Sequence, residues 1–231
     1  MDNFEKKSTI LREIPGTGLT LKKDEDGVFL TDGELVVRGD FTHMAKRLKQ
    51  ANLQGEMLVK AAKLKNCSHV PLLLDATAGM GEDSLLLAAS GFNVMLYEYD
   101  PVICALLRDT VDRSRRIPEL ADAALRMTVF EENSIDAMKN SGIRPDVILL
   151  DPMFPESNKT ALIKKKFQLI RQLEKPCSNG TDLLEAAISA RPCKIVIKRP
   201  LKGPYLGGIK PSYSLPGKAI RYDCLVFPEN M

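Results

Sequence analysis

The sequence has few of the side chains that build metal centres and disulfide frameworks. Its two histidines, His43 and His69, lack the spacing of metal ligands, and we assign neither a catalytic role. Five cysteines are widely spaced and include no Cys-x-x-Cys pair, which argues against a zinc cluster and against a disulfide-stabilised fold. We therefore expect chemistry that needs no metal.

Long hydrophobic runs are also absent. No apolar stretch approaches the roughly 20 residues that a membrane-spanning helix needs, and no apolar segment follows the polar start, residues 1–7. We therefore expect a cytoplasmic protein without a membrane partner. The 231 residues suffice for one ordinary domain with a full hydrophobic core, and nothing in the composition indicates a disordered or fibrous protein.

The formal net charge of +3 conceals an uneven distribution of charge along the chain. Residues 75–136 hold twelve acids and five arginines, a balance of −7, whereas residues 46–65 hold six bases and one acid, a balance of +5. Residues 191–221 hold eight bases and no acid, a balance of +8. An acidic middle suits a small cationic cofactor and basic flanks suit a polyanion. For any single run, an unevenly charged solvated surface is the alternative.

The stretch LLLDATAGMGED, residues 72–83, is the strongest local signal. An apolar run ends at Asp75, two glycines follow at positions 79 and 81, and a helical pattern runs from Ser84 to Ala89. This order predicts a strand, a tight turn and a helix N-terminus. Glycine at both positions lets a nucleotide-like cofactor lie directly against the backbone.

The residues around this turn favour S-adenosylmethionine (SAM) over NAD. A dinucleotide turn has a third glycine where this chain has Ser84, and it holds a pyrophosphate where this chain has Glu82 and Asp83. The cationic methionine of SAM is instead complemented by the carboxylates of Asp75, Glu82 and Asp83. For the turn alone, an ordinary helix start with capping acids is the alternative.

Two later segments complete a predicted cofactor site around Gly79 and Gly81. A second strand pattern ends in Glu98, and an acid at this position of a nucleotide-binding βαβ unit accepts hydrogen bonds from both ribose hydroxyls. We expect Tyr99 to lie beside the adenine. Asn133 and Ser134, which follow a third strand pattern, could contact the adenine edge, although a helix cap at these residues is an equal alternative.

The stretch DVILLDPMFP, residues 146–155, predicts a buried parallel strand that ends at Asp151. The carboxyl ends of such strands are where α/β sheets place their chemistry. Two prolines restrict the loop, so Asp151 is a candidate preset hydrogen-bond acceptor and Phe154 offers a ring face to a base.

These segments predict an α/β fold with helices on both faces of a Rossmann-like sheet. We assign this domain to residues 45–231. Before it, short alternating segments separated by Asp-Gly turns predict a small β-hairpin element over residues 1–44.

Several motifs together resemble the 16S rRNA (guanine-1516-N2) methyltransferase family, the small-subunit methyltransferase J type. They are DPMFP at 151–155, KTALIKKK at 159–166, VIKRP at 196–200 and RYD at 221–223. The resemblance runs from about residue 45 to the C-terminus. The chain departs from the family pattern at Glu82, where a basic residue is familiar, and in having few glycines before the first helix.

The resemblance implies a class I SAM-dependent methyltransferase that modifies the exocyclic N2 amine of a guanine in 16S rRNA. Its partner is then 16S rRNA or the small ribosomal subunit. The implied SAM contacts, at 82–83, 98–99, 133–134 and Asp151, are the positions already chosen from the residues themselves. The oligomeric state stays open.

Each candidate residue then has an expected role in catalysis or RNA binding. The Asp151 carboxylate, aided by the Pro152 carbonyl, accepts the amine hydrogens, while Phe154 stacks on the base. Basic side chains contact RNA phosphates: Lys164, Lys165, Lys166, Lys198 and Arg199. A solvated helix face is the alternative for the three consecutive lysines.

Two other functions are compatible with the same residues. Asp-Pro-x-aromatic loops serve amino groups on several substrates, so an amine methyltransferase acting on DNA or protein is one alternative. A catalytically silent RNA-binding protein on the same fold is the other. The intact acids and glycines at positions 75, 79, 81, 98 and 151 argue against silence.

Overall fold

The computed structural model describes residues 7–65, 67–140, 142–152, 169–170, 172–173 and 180–228. Its strands are β1 (Thr9–Ile14), β2 (Leu19–Asp24), β3 (Gly27–Thr31), β4 (Val36–Val37), β5 (Leu72–Asp75), β6 (Asn93–Glu98), β7 (Met127–Glu131), β8 (Val147–Leu150), β9 (Lys194–Pro200), β10 (Tyr213–Pro216) and β11 (Ile220–Val226). Its α-helices are α1 (Gln50–Leu53), α2 (Met57–Ala62), α3 (Glu82–Ala89), α4 (Pro101–Ser114), α5 (Pro118–Ala124), α6 (Ser134–Asn140) and α7 (Gly180–Ser189).

Seven strands form the main sheet in the order β10-β11-β9-β8-β5-β6-β7. The five from β9 to β7 are parallel, and β11 and β10 add an antiparallel hairpin at one edge. The chain reverses its direction of travel across the sheet between β5 and β8, and in open α/β sheets ligands bind at the carboxyl ends of strands at such a reversal. The predicted fold is confirmed, and the sheet places Asp75 and Asp151 at this point.

Each face of the main sheet is covered by helices, as the hydrophobic sequences of its parallel strands require. Leu73 belongs to a core formed with α2, α3 and α5, whereas its neighbour Leu74 belongs to a core formed with α6 and α7. Successive residues of a strand point to opposite faces, so one apolar run supplies both layers. The part of the chain described here contains no helix long and apolar enough to cross a membrane.

A separate antiparallel sheet, in the order β1-β2-β3-β4, precedes the main sheet. Its inner face packs on α4, where Leu21 and Leu30 join a core with Ile103 and Leu106. The described part of residues 1–44 therefore shares a hydrophobic core with residues 45–231. The division of the chain into these two domains stays a prediction.

Candidate active site

The turn after β5 has the conformation that its glycines predicted. Gly79 has φ +52° and Gly81 has φ +80°, both in the left-handed region that favours glycine. A Cβ atom at Gly81 would lie 2.5 Å from the Cδ1 of Leu107, so α4 packs against bare backbone here. Helix α3 then begins at Glu82, two residues before the predicted start.

Glu98 lies at the end of β6 and is hydrogen-bonded to this turn. One carboxylate oxygen accepts from the backbone N–H of Gly79 at 3.1 Å, and the other accepts from the N–H of Asp100 at 2.9 Å. The carboxylate therefore lies where the sequence predicted a ribose acceptor, at the end of the second parallel strand. Next to it, Tyr99 is 54% exposed, and its contact with adenine stays a prediction.

Asp75 lies behind the turn rather than at its surface, since it is only 2% exposed. Its carboxylate accepts from the Oγ of Ser84 at 2.6 Å and from the N–H of Thr77 at 3.0 Å. Burial raises the pKa of Asp75 to about 7, against the lowering effect of these two hydrogen bonds. This placement suits support of the turn more than the direct cofactor contact that we expected from the sequence.

Lys198 joins two carboxylates of the site, those of Asp83 and Asp151. Its Nζ lies 2.7 Å from the Oδ2 of Asp83, in the first turn of α3, and 2.9 Å from the Oδ2 of Asp151, just after β8. Burial lowers the pKa of Lys198, but the two carboxylates outweigh it and raise that pKa above its usual value. Burial also raises the pKa of Asp151, and Lys198 opposes this rise.

The loop that starts at Asp151 is tied to the glycine turn. The backbone N–H of Asp151 donates to the Oγ1 of Thr77 at 2.7 Å, which links the ends of β8 and β5. Pro152 is buried beside it. Phe154 and the lysines at 164, 165 and 166 lie outside the described residues, so their roles stay predictions.

The remaining predicted cofactor residues lie at the same edge of the sheet. Glu82 pairs with His43, whose Nε2 lies 3.3 Å from the Glu82 Oε1, and both side chains are largely exposed. Asn133 accepts from the N–H of Ile135 at 2.9 Å, so it forms the turn that starts α6, the alternative given above. Ser134 is 8% exposed. Contact of Asn133 and Ser134 with adenine stays a prediction.

Two predicted phosphate contacts need correction. Arg199 is 2% exposed and its Nε donates to the carbonyl of Pro204 at 2.9 Å, so it stabilises the turn after β9 from inside. Lys198 faces the carboxylates of the site and not an open basic surface. Basic residues in a strand can point inwards, and the charge balance of the segment could not show which ones do.

Sequence analysis missed three residues that organise this site. Ser84 donates to the Asp75 carboxylate, whereas Thr77 donates to Asp75 through its N–H and accepts from the N–H of Asp151 through its Oγ1. The sequence marked Ser84 only as the start of the helical pattern and as the position without a third glycine. Tyr222 of β11 lies opposite Lys198 in the strand register and is 6% exposed. Its only sequence signal was membership of the RYD motif.

The residues present fit SAM. The turn is open at Gly79, where an added Cβ atom would meet nothing nearer than the Thr77 carbonyl at 4.0 Å, and Glu98 lies beside it at the strand end. The carboxylates of Glu82, Asp83 and Asp151 outnumber Lys198, which leaves negative charge for a cation. Among the described residues, no group of three or more His, Cys, Asp or Glu side chains is arranged to hold a metal ion.

Comparison with known proteins agrees with this geometry. The family described as "Putative SAM-dependent methyltransferase" matches residues 7–227. Ribosomal RNA small subunit methyltransferase J of Pseudomonas paraeruginosa is 42% identical over 196 residues, which cover 84% of this chain and 74% of that protein. The protein of the same name from Thioalkalivibrio sulfidiphilus is 37% identical over 222 residues, which cover 93% and 87%.

Solved structures give the same result. The crystal structure of a SAM-dependent methyltransferase from Neisseria gonorrhoeae superposes with a TM-score of 0.74 at 31% identity, covering 94% of this chain and 86% of that one. The rRNA methyltransferase aviRa from Streptomyces viridochromogenes, at 14% identity and a TM-score of 0.51, shares the fold. This chain belongs to the SAM-dependent methyltransferase family that includes ribosomal RNA small subunit methyltransferase J.

Proposed function

We propose that this enzyme transfers a methyl group from SAM to the exocyclic N2 amine of a guanine in small-subunit rRNA. The observation that carries the proposal is the position of Asp151. Its carboxylate follows β8 at the reversal point of the sheet, and its backbone is bonded to the turn that would hold the cofactor. The names of the relatives support rRNA of the small subunit as the substrate.

Residues on three strand ends would hold the cofactor. The turn at Gly79 and Gly81 contacts it through backbone, and Glu98 accepts from its ribose. The carboxylates of Glu82 and Asp83 attract its cationic methionine end, with Asp75 supporting the turn from behind. Tyr99, Asn133 and Ser134 are the candidate adenine contacts. Bound SAM supplies a methyl group made electrophilic by its positively charged sulfur.

Asp151 addresses the weak nucleophilicity of a guanine amine. The lone pair of that nitrogen is delocalised into the ring, and positive charge develops on nitrogen as the methyl group is transferred. The Asp151 carboxylate accepts a hydrogen bond from the amine and stabilises this charge, in a site already fixed by the fold. As the N–C bond forms, the S–C bond would break with its electron pair left on sulfur, and the proton lost by the nitrogen would pass through Asp151 to water. The Pro152 carbonyl and the ring of Phe154 would orient the base.

The target base must leave its stack to reach this position. Enzymes that modify bases act on flipped-out or single-stranded nucleotides, and sequence-specific recognition of RNA is directed mostly at loops, bulges and ends. At this edge of the sheet, Tyr99 and residues 131–133 are exposed, which suits entry of a single extruded nucleotide.

Methyl transfer from labelled SAM tests this proposal across substrate classes. Purified enzyme is offered small ribosomal subunits, naked 16S rRNA, DNA and a protein mixture, while calorimetry measures SAM binding. We expect SAM binding and label in 16S rRNA, from subunits, naked RNA or both. Label in DNA or protein alone would support an amine methyltransferase of another class. SAM binding with no label in any substrate would support a silent RNA-binding protein.

A further inference from the structure

Lys198 is the central cation of the site. It lies on β9, next to β8, and its Nζ is within 3 Å of carboxylate oxygens from two other elements. The side chains of Lys198, Asp83 and Asp151 are 25%, 27% and 39% exposed, so water screens this triad only in part. These partly buried ion pairs are therefore less weakened by solvent than fully exposed pairs, which contribute little to stability.

The surroundings of Asp151 need a cation. Burial raises the pKa of the Asp151 carboxyl group, and the nearby charge of Asp83 raises it further. Tyr222 packs across from Lys198, and Arg47 lies farther out with its guanidinium bonded to Glu56. Among the described residues, Lys198 is thus the cation in direct contact with Asp151.

We propose that Lys198 is a positioning residue for the methyl transfer: it fixes the Asp151 carboxylate beside the glycine turn and keeps it negatively charged. This inference rests on the proposed function. It replaces the phosphate contact that the sequence predicted for Lys198. One oxygen of Asp151 is held by the lysine, which leaves the other to accept from the amine.

Titration of Asp151 tests the proposal without relying on activity. Carboxyl carbons of aspartate are labelled with ¹³C, the Asp151 signal is assigned with D151N, and its titration is followed in wild type, K198M and K198R. An opposite charge in contact lowers a carboxyl pKa by about 1 to 3 units. We therefore expect Asp151 of K198M to deprotonate at least about one pH unit higher than in wild type, with K198R close to wild type.

Kinetics give the second readout. K198M should lose kcat at neutral pH by about tenfold or more, with the acidic limb of the kcat profile moved to higher pH, and K198R should recover both. Thermal melting of each variant tests for a folding defect. Unchanged Asp151 titration in a folded K198M would overturn the proposal, and a reduced salt dependence of RNA binding in that variant would restore the phosphate role. If wild type methylates no RNA, the proposed function fails, while the titration still decides the role of Lys198.

A second inference comes from the turns beside β9 and β11. Arg199 donates to the Pro204 carbonyl, and the Nη1 of Arg221 donates to the carbonyls of Pro200 and Leu201 at 2.9 and 2.8 Å. Arg221 is itself fixed by Asp223, with its Nε 2.8 Å from the Oδ1. Two inward-facing arginines thus brace the turn after β9 from beneath.

This braced turn presents exposed lysines at the edge of the sheet that holds Asp151. Lys202 is exposed on it, and Lys218 is exposed on the adjoining turn between β10 and β11. The two turns are joined by a hydrogen bond from the N–H of Leu201 to the carbonyl of Ala219 at 2.9 Å. Residues 191–221, which include both turns, contain no acidic residue.

We infer that Lys202 and Lys218 contact RNA phosphates next to the target nucleotide. Phosphate contacts dominate the affinity of nucleic-acid complexes and make it depend on salt. The buried arginines fix the backbone of the turn from which these flexible lysine side chains extend. Their phosphate contacts can then orient the RNA without reading its sequence. This inference also rests on the proposed substrate.

The salt dependence of RNA binding tests the inference. The variant K202Q/K218Q is compared with K23Q/K139Q, which removes the same charge from exposed positions on β2 and α6. Each lost phosphate contact should reduce the log-log salt slope by somewhat less than one, so we expect a fall of up to about 1.5 for the first pair and none for the second. SAM affinity should stay at the wild-type value in both. Equal slopes in the two variants would overturn the inference; RNA binding without methyl transfer by wild type would instead overturn the proposed function.

Discussion

Glu98 shows how one carboxylate can serve both the fold and the ligand. Its oxygens accept from the N–H groups of Gly79 and Asp100, so it sets the turn that the cofactor approaches. The sequence predicted its place at the end of a strand. The bonds to the turn could not be predicted, because they depend on how close β5 and β6 bring residues nineteen positions apart.

The change Glu98→Ala should weaken SAM binding and leave the fold intact. It removes the ribose acceptor and frees the Gly79 N–H, and hydrogen bonds to charged groups contribute roughly 1.5–3 kcal/mol. Calorimetry should therefore give a dissociation constant at least about tenfold higher. Circular dichroism controls for folding, and wild-type affinity in a folded variant would rule out the ribose role.

Asp75 makes stability depend on pH in a predictable direction. Its pKa is about 7 in the folded protein and near 3.8 as an ordinary carboxyl group, so the folded state holds its proton more tightly. The stability that this proton contributes is fully present below pH 4 and is lost as pH rises through 7. The Asp75→Asn variant has no titrating group at this position, so it cannot lose stability in this way as the pH rises.

We expect the free energy of unfolding of Asp75→Asn, relative to wild type, to rise between pH 5 and pH 8. At about 1.36 kcal/mol per pKa unit the rise is roughly 2 to 3 kcal/mol. Urea denaturation of both proteins at the two pH values measures it, and other titrating groups cancel in the comparison. A difference that is the same at pH 5 and pH 8 would mean that Asp75 is charged throughout.

At the scale of elements, strands and helices followed the sequence closely where hydrophobic patterns were strong. The strands that end at Asp75, Glu98 and Asp151 were all predicted within a residue or two. Strand β1 was missed because five of its six residues are exposed, so it has no alternating pattern to detect. Tertiary pairing with β2 defines it instead.

The packing contact between the glycine turn and α4 can be tested by a matched pair of substitutions. Gly81→Ala places a methyl group against the buried Leu107 and also strains a left-handed residue, whereas Gly16→Ala, at φ +76°, meets nothing within 4 Å. The left-handed conformation alone costs about 1–2 kcal/mol, and overpacking adds typically 1–3. We expect urea denaturation to show the larger loss for Gly81→Ala.

SAM affinity separates the same pair. Gly81→Ala should bind SAM more weakly because the turn must shift, while Gly16→Ala should bind it as wild type does. Equal stability losses and equal affinities in the two variants would show that α4 does not restrict the turn.

At the scale of the whole molecule, charge was the property that sequence predicted least well. The balance of +8 over residues 191–221 suggested a basic surface. In the fold, Lys198 pairs with the carboxylates of the site, Arg199 and Arg221 support a turn, and exposed lysines such as Lys202 remain for a partner. Strand register decides which basic side chains point inwards, and a count of charges along the sequence gives no information about that register.

The acidic residues in the middle of the chain predicted the site better than the basic residues at 191–221 did. Its charges at Glu82, Asp83 and Glu98 converge on one edge of the sheet because parallel strands end there together. This convergence follows from topology, and topology follows from the repeated strand and helix patterns. A site assembled from strand ends is therefore more accessible to sequence analysis than one assembled from side-chain pairing.

Mass mapping of rRNA nucleosides tests the central claim most directly. Ribosomal RNA from cells with and without the gene is digested and compared, and the deletion strain is complemented with wild type or with Asp151→Ala. We predict that one N2-methylguanosine of 16S rRNA disappears on deletion, returns with wild type and stays absent with Asp151→Ala. An unchanged 16S rRNA map on deletion, or full restoration by Asp151→Ala, would contradict the account.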